Sequence, residues 1–572
     1  MPVTLQHFED KAVASRAQKQ SGGQGASRKN VVARLQRAWG ESLFYQAQLK
    51  GPAPDRFYHM PSDPRTPNKD VADMLVQGKV SIGSQTVDCE GELDQLWDLT
   101  PPPGAMYAFL QDFSWLRHVT ALGDDAKGPA RTLLKGWLDR FEKWSPEAWE
   151  PYITAERLTQ LCCHGGVVLR GGDALWRSRV LTSMARQTRH LERSSHRANT
   201  GYERLMTAMG LSIAGLCLPG CDTPAERGLE MLRRELRLQI RPDGGHISRN
   251  PSNQLSIVIR LQMVLKALDA RRLTPPGFLK HVSARAASFL QLFRCGDGKL
   301  AIFNGGYEDD GRALLAALQS VDIDATPTGF ARHSGFQRLD AGRMSLIADT
   351  GAINRTAKNE ASGGGSRFSS EGSFHLSSGR SRLVVNCGNG AHLSGEWMRA
   401  LRKAEAHSRF SFDNKKDEFT LPSGRLVTHR RGEDSRGQLL EIDCVVNKDT
   451  AEEKSCQRRL FAASRGDDLR GQDRFSNVSD EFLDSLIIRF HLHPEVKSSL
   501  ARDGKSVILA APNQEGWRFR SNCHCLRLEK SIYCGEGGLP ISTEQIVLRP
   551  DGLERSQEGD MVVKWGFRRV ET

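Results

Sequence analysis

The chain has 572 residues, too many for one ordinary hydrophobic core, so two or three domains are expected. Lys and Arg number 80 against 68 Asp and Glu, a net charge of +12, which favours polyanionic partners such as acidic polysaccharide, nucleic acid or an anionic surface. No run of about 18 apolar residues occurs, which argues against a membrane-spanning helix. The twelve cysteines include no CxxC pair, which argues against a zinc ribbon or a disulfide framework and for reduced thiols.

Residues 1–30 are polar and rich in Gly, Ser, Gln and Lys, and a disordered tail is expected there. They lack the apolar stretch of a signal peptide, so cytoplasmic residence is the expectation, with the periplasm as the alternative. Residues 31–100 are mixed, with strand-like pieces such as "GKVSIGSQTV", and are expected to pack on the helical region after them. Residues 101–325 carry helical periodicity. "RTLLKGWLDRFEKW" puts Leu134, Trp137, Leu138, Phe141 and Trp144 on one face, and "AERGLEMLRRELRLQI" aligns Leu229, Leu232, Leu236 and Ile240. Short links rich in Pro and Gly join these segments. The spacing predicts an (α/α) toroid of antiparallel helix pairs.

Over residues 326–572 the period switches to two. "MSLIADTG", "LIIRFHLHP", "KSVILAAP" and "MVVKWGF" are short strands bounded by turn residues. Many strands without intervening helices predict an antiparallel β-sandwich, so the expected fold is α+β and multidomain. Within it, "RFHLHP" sets His491 and His493 on one strand face, and "CHC" places Cys523 and Cys525 together. Both are read as core packing, because no third ligand is evident. Trp397 and Trp517 offer faces for sugar stacking, although anchoring a core is the commoner use of Trp.

The segment "QIRPDGGHISRNPSNQ", residues 239–254, stands out among the helical links. Turn chemistry explains Pro242 to Gly245 but not the polar residues beyond them. Together with "ARQTRHL", "AMGLSIAGLCLPG", "RCGDGKLAIFNGG", "RLVVNCG" and "RALRKAEAHSRFSF", it resembles heparinase II/III-family proteins over roughly residues 35–570. The resemblance implies a toroid followed by a sandwich. It also implies a carbon–oxygen lyase cleaving uronate-containing poly- or oligosaccharides by β-elimination.

That reaction removes the proton beside the uronate carboxylate and expels the 4-linked oxygen. It needs a group that neutralises the carboxylate, a base and an acid. The family pattern has Asp-Gly-Gly, then Arg-Ser-Pro-x-Tyr-His; Asp243, Gly244, Gly245, Arg249 and Pro251 match it. The Tyr and His positions hold Asn253 and Gln254, which have no titratable state. The family's metal-binding positions hold Ser366, Phe368, Ser370 and Asn386, so no metal and no other cofactor are expected.

The remaining candidates are His246, His407 and Tyr202 for proton transfer, with Arg249, Asn250, Asn253, Glu203, Arg399 and Arg402 for substrate binding. His246 and His407 divide the base and acid roles in this reading. The expected partner is an anionic polysaccharide or oligosaccharide. Nucleic acid ranks last, since no recognisable module accompanies the charge. The competing function is a catalytically degenerate carbohydrate-binding or polysaccharide-assembly protein that keeps the cleft.

Overall fold

The computed structural model describes residues 37–99, 104–319, 329–351, 368–412, 428–447 and 454–570. The expected tail, the helix-to-strand boundary near residue 325 and Ser366 lie outside the described residues.

The helical domain opens with the short helix Ala105–Gln111 and continues, among the described residues, with α1 (Ser114–Val119), α2 (Lys127–Phe141), α3 (Pro151–Leu169), α4 (Ala174–Ser194), α5 (Tyr202–Cys217), α6 (Asp222–Gln239), α7 (Pro251–Ala270), α8 (Gly277–Gln291) and α9 (Gly311–Gln319). Odd-numbered helices pack side by side, and α4, α6 and α8 back onto α3, α5 and α7. This is the two-layered ring that the alternating amphipathic segments predict. Local chemistry starts the helices where they start. Pro151 and Pro251 occupy the first turn, where no amide hydrogen is needed, and Glu150, Asp173 and Asn250 cap free backbone amides.

Helix α5 is buried at every residue from Leu205 to Cys217, and glycines let its neighbours approach. A Cβ on Gly210 would lie 2.7 Å from the Ala155 carbonyl oxygen of α3, and one on Gly215 would lie 2.5 Å from the Ala225 nitrogen of α6. Buried Arg157 ties the ring together. Its guanidinium donates to Gln187 Oε1 (2.7 Å), the Gln111 carbonyl (2.7 Å) and the Ala148 carbonyl (2.8 Å), and lies over Trp137.

The C-terminal part is two antiparallel sheets. One runs in the order 525–533, 541–549, 486–492, 381–385, 374–378, 344–349, 336–341 and 330–331, with 410–412 pairing to 486–492. The other runs 497–500, 506–510, 516–521, 561–570, 468–476, 454–463, 437–447 and 428–434. Strands Phe374–Ser378 and Ser381–Val385 are buried throughout, because their sheet lies between the ring and the second sheet. Phe336 and Ile347 join the core of the ring, whereas Leu339 and Leu346 join that of the sandwich. The second sheet has one wet face, and Asp468–Ser476 alternates in burial accordingly. Trp517 and Phe374 are fully buried, and Phe374 stacks on Trp565 at 5.6 Å. The toroid-plus-sandwich fold is therefore the one the periodicity predicts.

A strap from the mixed N-terminal region runs along the ring helices. Phe57 and Met60 approach Gly165 and Gly166 of α3, Tyr58 N–H donates to the Cys217 carbonyl, and Thr66 N–H donates to Asp310 Oδ2 at 2.6 Å.

The close approach at α5 gives a stability test. Gly215→Ala is expected to destabilise the protein by about 1–3 kcal/mol through overpacking. Gly128→Ala, where an added Cβ meets nothing within 4 Å, is expected to be neutral or stabilising. Chemical denaturation of both variants checks the contrast.

Candidate functional site

The polar 239–254 segment, which leads into α7, is pinned to the start of the sandwich. Asp243 Oδ2 accepts from the His333 and Ser334 amides (2.8 and 2.6 Å), and Asp243 Oδ1 accepts from Ser334 Oγ (2.7 Å). Gly244 has φ of +89°, and a Cβ there would lie 2.1 Å from the Arg285 carbonyl oxygen, so glycine is required at this turn.

The same geometry reassigns several candidates. His246 is 1 % exposed and both its ring nitrogens are engaged: Nε2 with Gln239 Oε1 at 2.8 Å and Nδ1 with Ser248 Oγ at 2.7 Å. Because Gln239 Oε1 can only accept, Nε2 carries the proton and Nδ1 accepts. Burial, helped by Arg241, lowers its pKa to about 3. The expectation of an accessible base at His246 is corrected: the imidazole is a neutral brace for the loop.

Arg249 is likewise committed inward. Its guanidinium pairs with fully buried Asp349, donates to the Ser334 carbonyl (2.8 Å) and the Gly335 carbonyl (3.1 Å), and lies over Phe336. The carboxylate clamp expected there is corrected to an interdomain ion pair. Asn250 is the N-cap of α7 and donates to the Asn304 carbonyl at 3.1 Å, so it too serves the scaffold. Gln254 Oε1 accepts from the His246 amide, while Nε2 donates to the Gly244 and Ala286 carbonyls.

Three further polar residues start the inner helices of the ring. Tyr152, Tyr202 and Asn253 stand in the first turns of α3, α5 and α7, whose N-terminal ends share a direction and a positive dipole. Tyr202 lies 6.1 Å from the His246 ring, and burial pushes its phenol up to about 12 despite a hydrogen bond to Ser256. Glu203 accepts from Asn199 Nδ2 at 2.7 Å, and burial raises its pKa.

Across the mouth, Phe368 packs against Gly305, beside Asn304, and its ring lies 6.1 Å from His407. His407 is 2 % exposed, yet among the described residues neither ring nitrogen has a hydrogen-bond partner, and Arg402 Nε is also buried and unpartnered among them. Burial, then the charge of Arg409, lowers the His407 pKa to about 3. Arg399 stands exposed on the short helix Gly395–Leu401. No hydrogen bond or ring contact joins His246 to His407 among the described residues.

The remaining positions are occupied as scaffold. Ser370 Oγ donates to Asp349 Oδ2 at 2.8 Å; Asn386 donates to the Ile302 carbonyl and accepts from the Ser408 amide. No group of three or more metal-ligating side chains occurs among the described residues. His491 bonds Ser531 and the Glu405 carbonyl, and His493 reaches Glu308 at 3.3 Å.

Sequence reasoning missed a second polar cluster, inside the ring. Arg260 of α7 pairs with Glu156 of α3 at 2.5 Å, while Glu156 Oε1 is buried and unpartnered. On the strap, Asp63 chelates Arg65 (2.6 Å) and faces His164 Nε2 at 3.5 Å. Burial alone would raise the Asp63 carboxyl, but His164 and Arg65 hold it well below the usual range. The available signal was Arg260, alone in the apolar run "LSIVIRLQMV". Its partner lies 104 residues away and has no signature.

With a helical ring, an antiparallel sandwich and a polar mouth between them, the chain has the architecture of toroid-type polysaccharide lyases. Residues 324–566 match the family described as Heparinase II/III-like, C-terminal. The crystal structure of heparinase III superposes with a TM-score of 0.65 at 13% identity, covering 88% of this chain and 84% of that one. Heparan sulfate lyase HepC from Pedobacter heparinus gives 0.54 at 14% identity over 97% and 92%. A chondroitinase AC lyase gives 0.50 at 12% identity over 88% and 81%. In sequence, the chain is 27% identical to FtsZ-localized protein C of Caulobacter vibrioides over 96% of both chains.

Two outcomes are expected from the buried groups. Arg249→Ala strands Asp349 and is expected to cost about 3–5 kcal/mol, read as a lower midpoint in urea. Acid is the second stress. His190, His246, His407 and His491 each titrate near 3 in the folded chain, with burial as the main cause, against about 6.5 when unfolded. The unfolded chain therefore binds more protons below about pH 6.5, and stability falls as pH drops, by up to about 1.4 kcal/mol per pH unit for each histidine. His407→Leu strands no partner and is expected to flatten this dependence by one proton, measured as the unfolding free energy from pH 7 to pH 5.

Proposed function

We propose that this protein is a catalytically silent heparinase-fold protein that binds an acidic, uronate-bearing oligosaccharide at the mouth between ring and sandwich. The observation that carries this reading is His407. A buried imidazole whose two nitrogens have no hydrogen-bond partner among the described residues is a polar site without its partner, and a sugar carboxylate or hydroxyl supplies one. Arg402, five residues before it, has a buried Nε that is likewise unpartnered among the described residues.

The chemistry of β-elimination is not supported by the same residues. Arg249 is neutralised by Asp349 and is unavailable to a substrate carboxylate. Position 253 has no titratable group, Tyr202 near 12 is a poor base at neutral pH, and an imidazole near 3 is a weak one. Lyase turnover is the second reading. It is favoured by Tyr202 and His407, two proton-carrying groups, one from the ring and one from the sandwich.

We further propose that the protein works in the cytoplasm, at sites where FtsZ gathers. Support comes from the full-length similarity to a protein named for FtsZ localisation and from the free thiols of eleven described cysteines, which suit a reducing compartment. That location favours an oligosaccharide over a long polymer as ligand.

Incubation with a panel of uronate oligosaccharides is expected to give binding by calorimetry and no ultraviolet absorbance from an unsaturated product. Arg402→Ala is expected to weaken binding by about 1.5–3 kcal/mol, the value of a hydrogen bond to a charged group. Unsaturated product would establish the lyase reading instead. Absence of binding by any acidic glycan would overturn both. A fluorescent fusion spread evenly through cells with assembled FtsZ would overturn the location.

A further inference from the structure

The outer face of the second sheet carries a groove of about 500 Å³, well away from the mouth in the fold. Four central strands form its floor: Lys454–Ala463, Asp468–Ser476, Met561–Val570 and Gly516–Ser521. Register places Phe461 opposite Arg470, Arg470 opposite Gly566, and Gly566 opposite Arg520. A second row two residues along sets Arg459 opposite Gln472 and Gln472 opposite Lys564. Directly opposed residues share a face, so two lines of cations flank a trough floored by a glycine that has no side chain to fill it.

The charges are only partly compensated. Arg459 pairs with Glu441 at 2.6 Å and Arg470 with Asp468 at 2.8 Å. Arg520 and Lys564 are exposed and form no ion pair among the described residues. On the next row Arg518 stands directly opposite Arg568. Asp468 stands opposite Arg568 on the other side, so one carboxylate serves two arginines in that row, and like charges in direct opposition destabilise a sheet.

We propose that this groove is a second binding site, for a short oligosaccharide of uronic acids. The Arg520 guanidinium matches a planar carboxylate, Lys564 adds a second positive charge, and half-buried Phe461 at one end offers an apolar face for a sugar ring. The site reads its ligand through side chains. Every floor strand is paired on both sides, leaving no free backbone edge on which an extended acidic peptide could add as a strand. A compact ligand with spaced carboxylates fits this arrangement better than a peptide does. The inference extends the glycan-binding reading of the mouth but stands on different residues.

Calorimetry of the full chain with trigalacturonate at low salt tests it, alongside neutral maltotriose and an acidic peptide of equal charge. Two sites are expected for trigalacturonate and none for maltotriose. The R520E/K564E pair alters two exposed side chains and is expected to remove one site, weakening it at least about tenfold, while leaving the unfolding midpoint unchanged. Phe461→Ala is expected to weaken the same site, and Arg402→Ala to weaken only the other. If the mouth reading fails, the site sensitive to Arg520 and Lys564 remains alone. Trigalacturonate binding indifferent to R520E/K564E overturns the groove proposal, and so does an acidic peptide that binds there more tightly than the sugar.

Discussion

One buried ion pair, Arg249 with Asp349, fixes how the helical ring meets the sandwich. Arg249 leaves the ring just before α7, and Asp349 closes the strand Met344–Asp349. Asn304 and Ser370 complete the network by bonding the Arg249 carbonyl and Asp349 Oδ2. Charges removed from water this far hold only when each lone pair and proton is matched. A second anchor repeats the logic. Glu308, from the ring side, accepts from Tyr533 Oη and Lys299 Nζ, both at 2.5 Å, with Arg382 Nε at 3.7 Å. Burial would raise its carboxyl, but His493 and Arg382 lead the groups that hold it well below the usual range. An arginine that secures the domain interface cannot also release itself to a substrate.

The same low dielectric decides what the histidines do. His246 and His407 both stay neutral at physiological pH, for different reasons of architecture. His246 is surrounded by partners and completes a loop, whereas His407 has Phe368 and Arg409 as neighbours and no hydrogen-bond partner among the described residues. Burial therefore separates a structural imidazole from one that awaits a ligand, although the sequence presents them alike. Tyr202 lies between these cases. Ser256 bonds it and the charges of Arg260 and Arg65 pull its phenol down, but burial and Glu156 outweigh them.

Much of the fold was legible because periodicity reports burial directly. The stripe Leu229, Leu232, Leu236 and Ile240 marks α6, and the alternation of Asp468–Ser476 marks a sheet with one wet face. Strands of the first sheet are harder to type by alternation, since Phe374–Ser378 and Ser381–Val385 are buried on both faces. The site was less legible. Motif matching found Arg249 and His407, but a motif names positions and not the direction in which a side chain points. Arg249 turns inward because Asp349 lies 100 residues away on another domain, a distance over which spacing carries no information. The strap cluster of Asp63 and Arg65 was invisible for the same reason.

Packing commits the positions around the family pattern to scaffold roles. Gln254, at the position where the family pattern has histidine, makes three hydrogen bonds that tie the His246 amide, the Gly244 carbonyl and the Ala286 carbonyl together. An imidazole has two nitrogens and cannot satisfy all three, so restoring histidine would loosen the turn that presents the mouth. Asn253 is less committed, with one long contact to Ser248 Oγ at 3.4 Å. Catalysis demands groups that bind the transition state better than the ground state, whereas recognition demands only complementary partners. Scaffold roles at Arg249, His246 and Gln254 are therefore compatible with the binding proposed for His407 and Arg402, and a tyrosine placed at residue 253 alone would not supply the carboxylate-neutralising group that β-elimination needs.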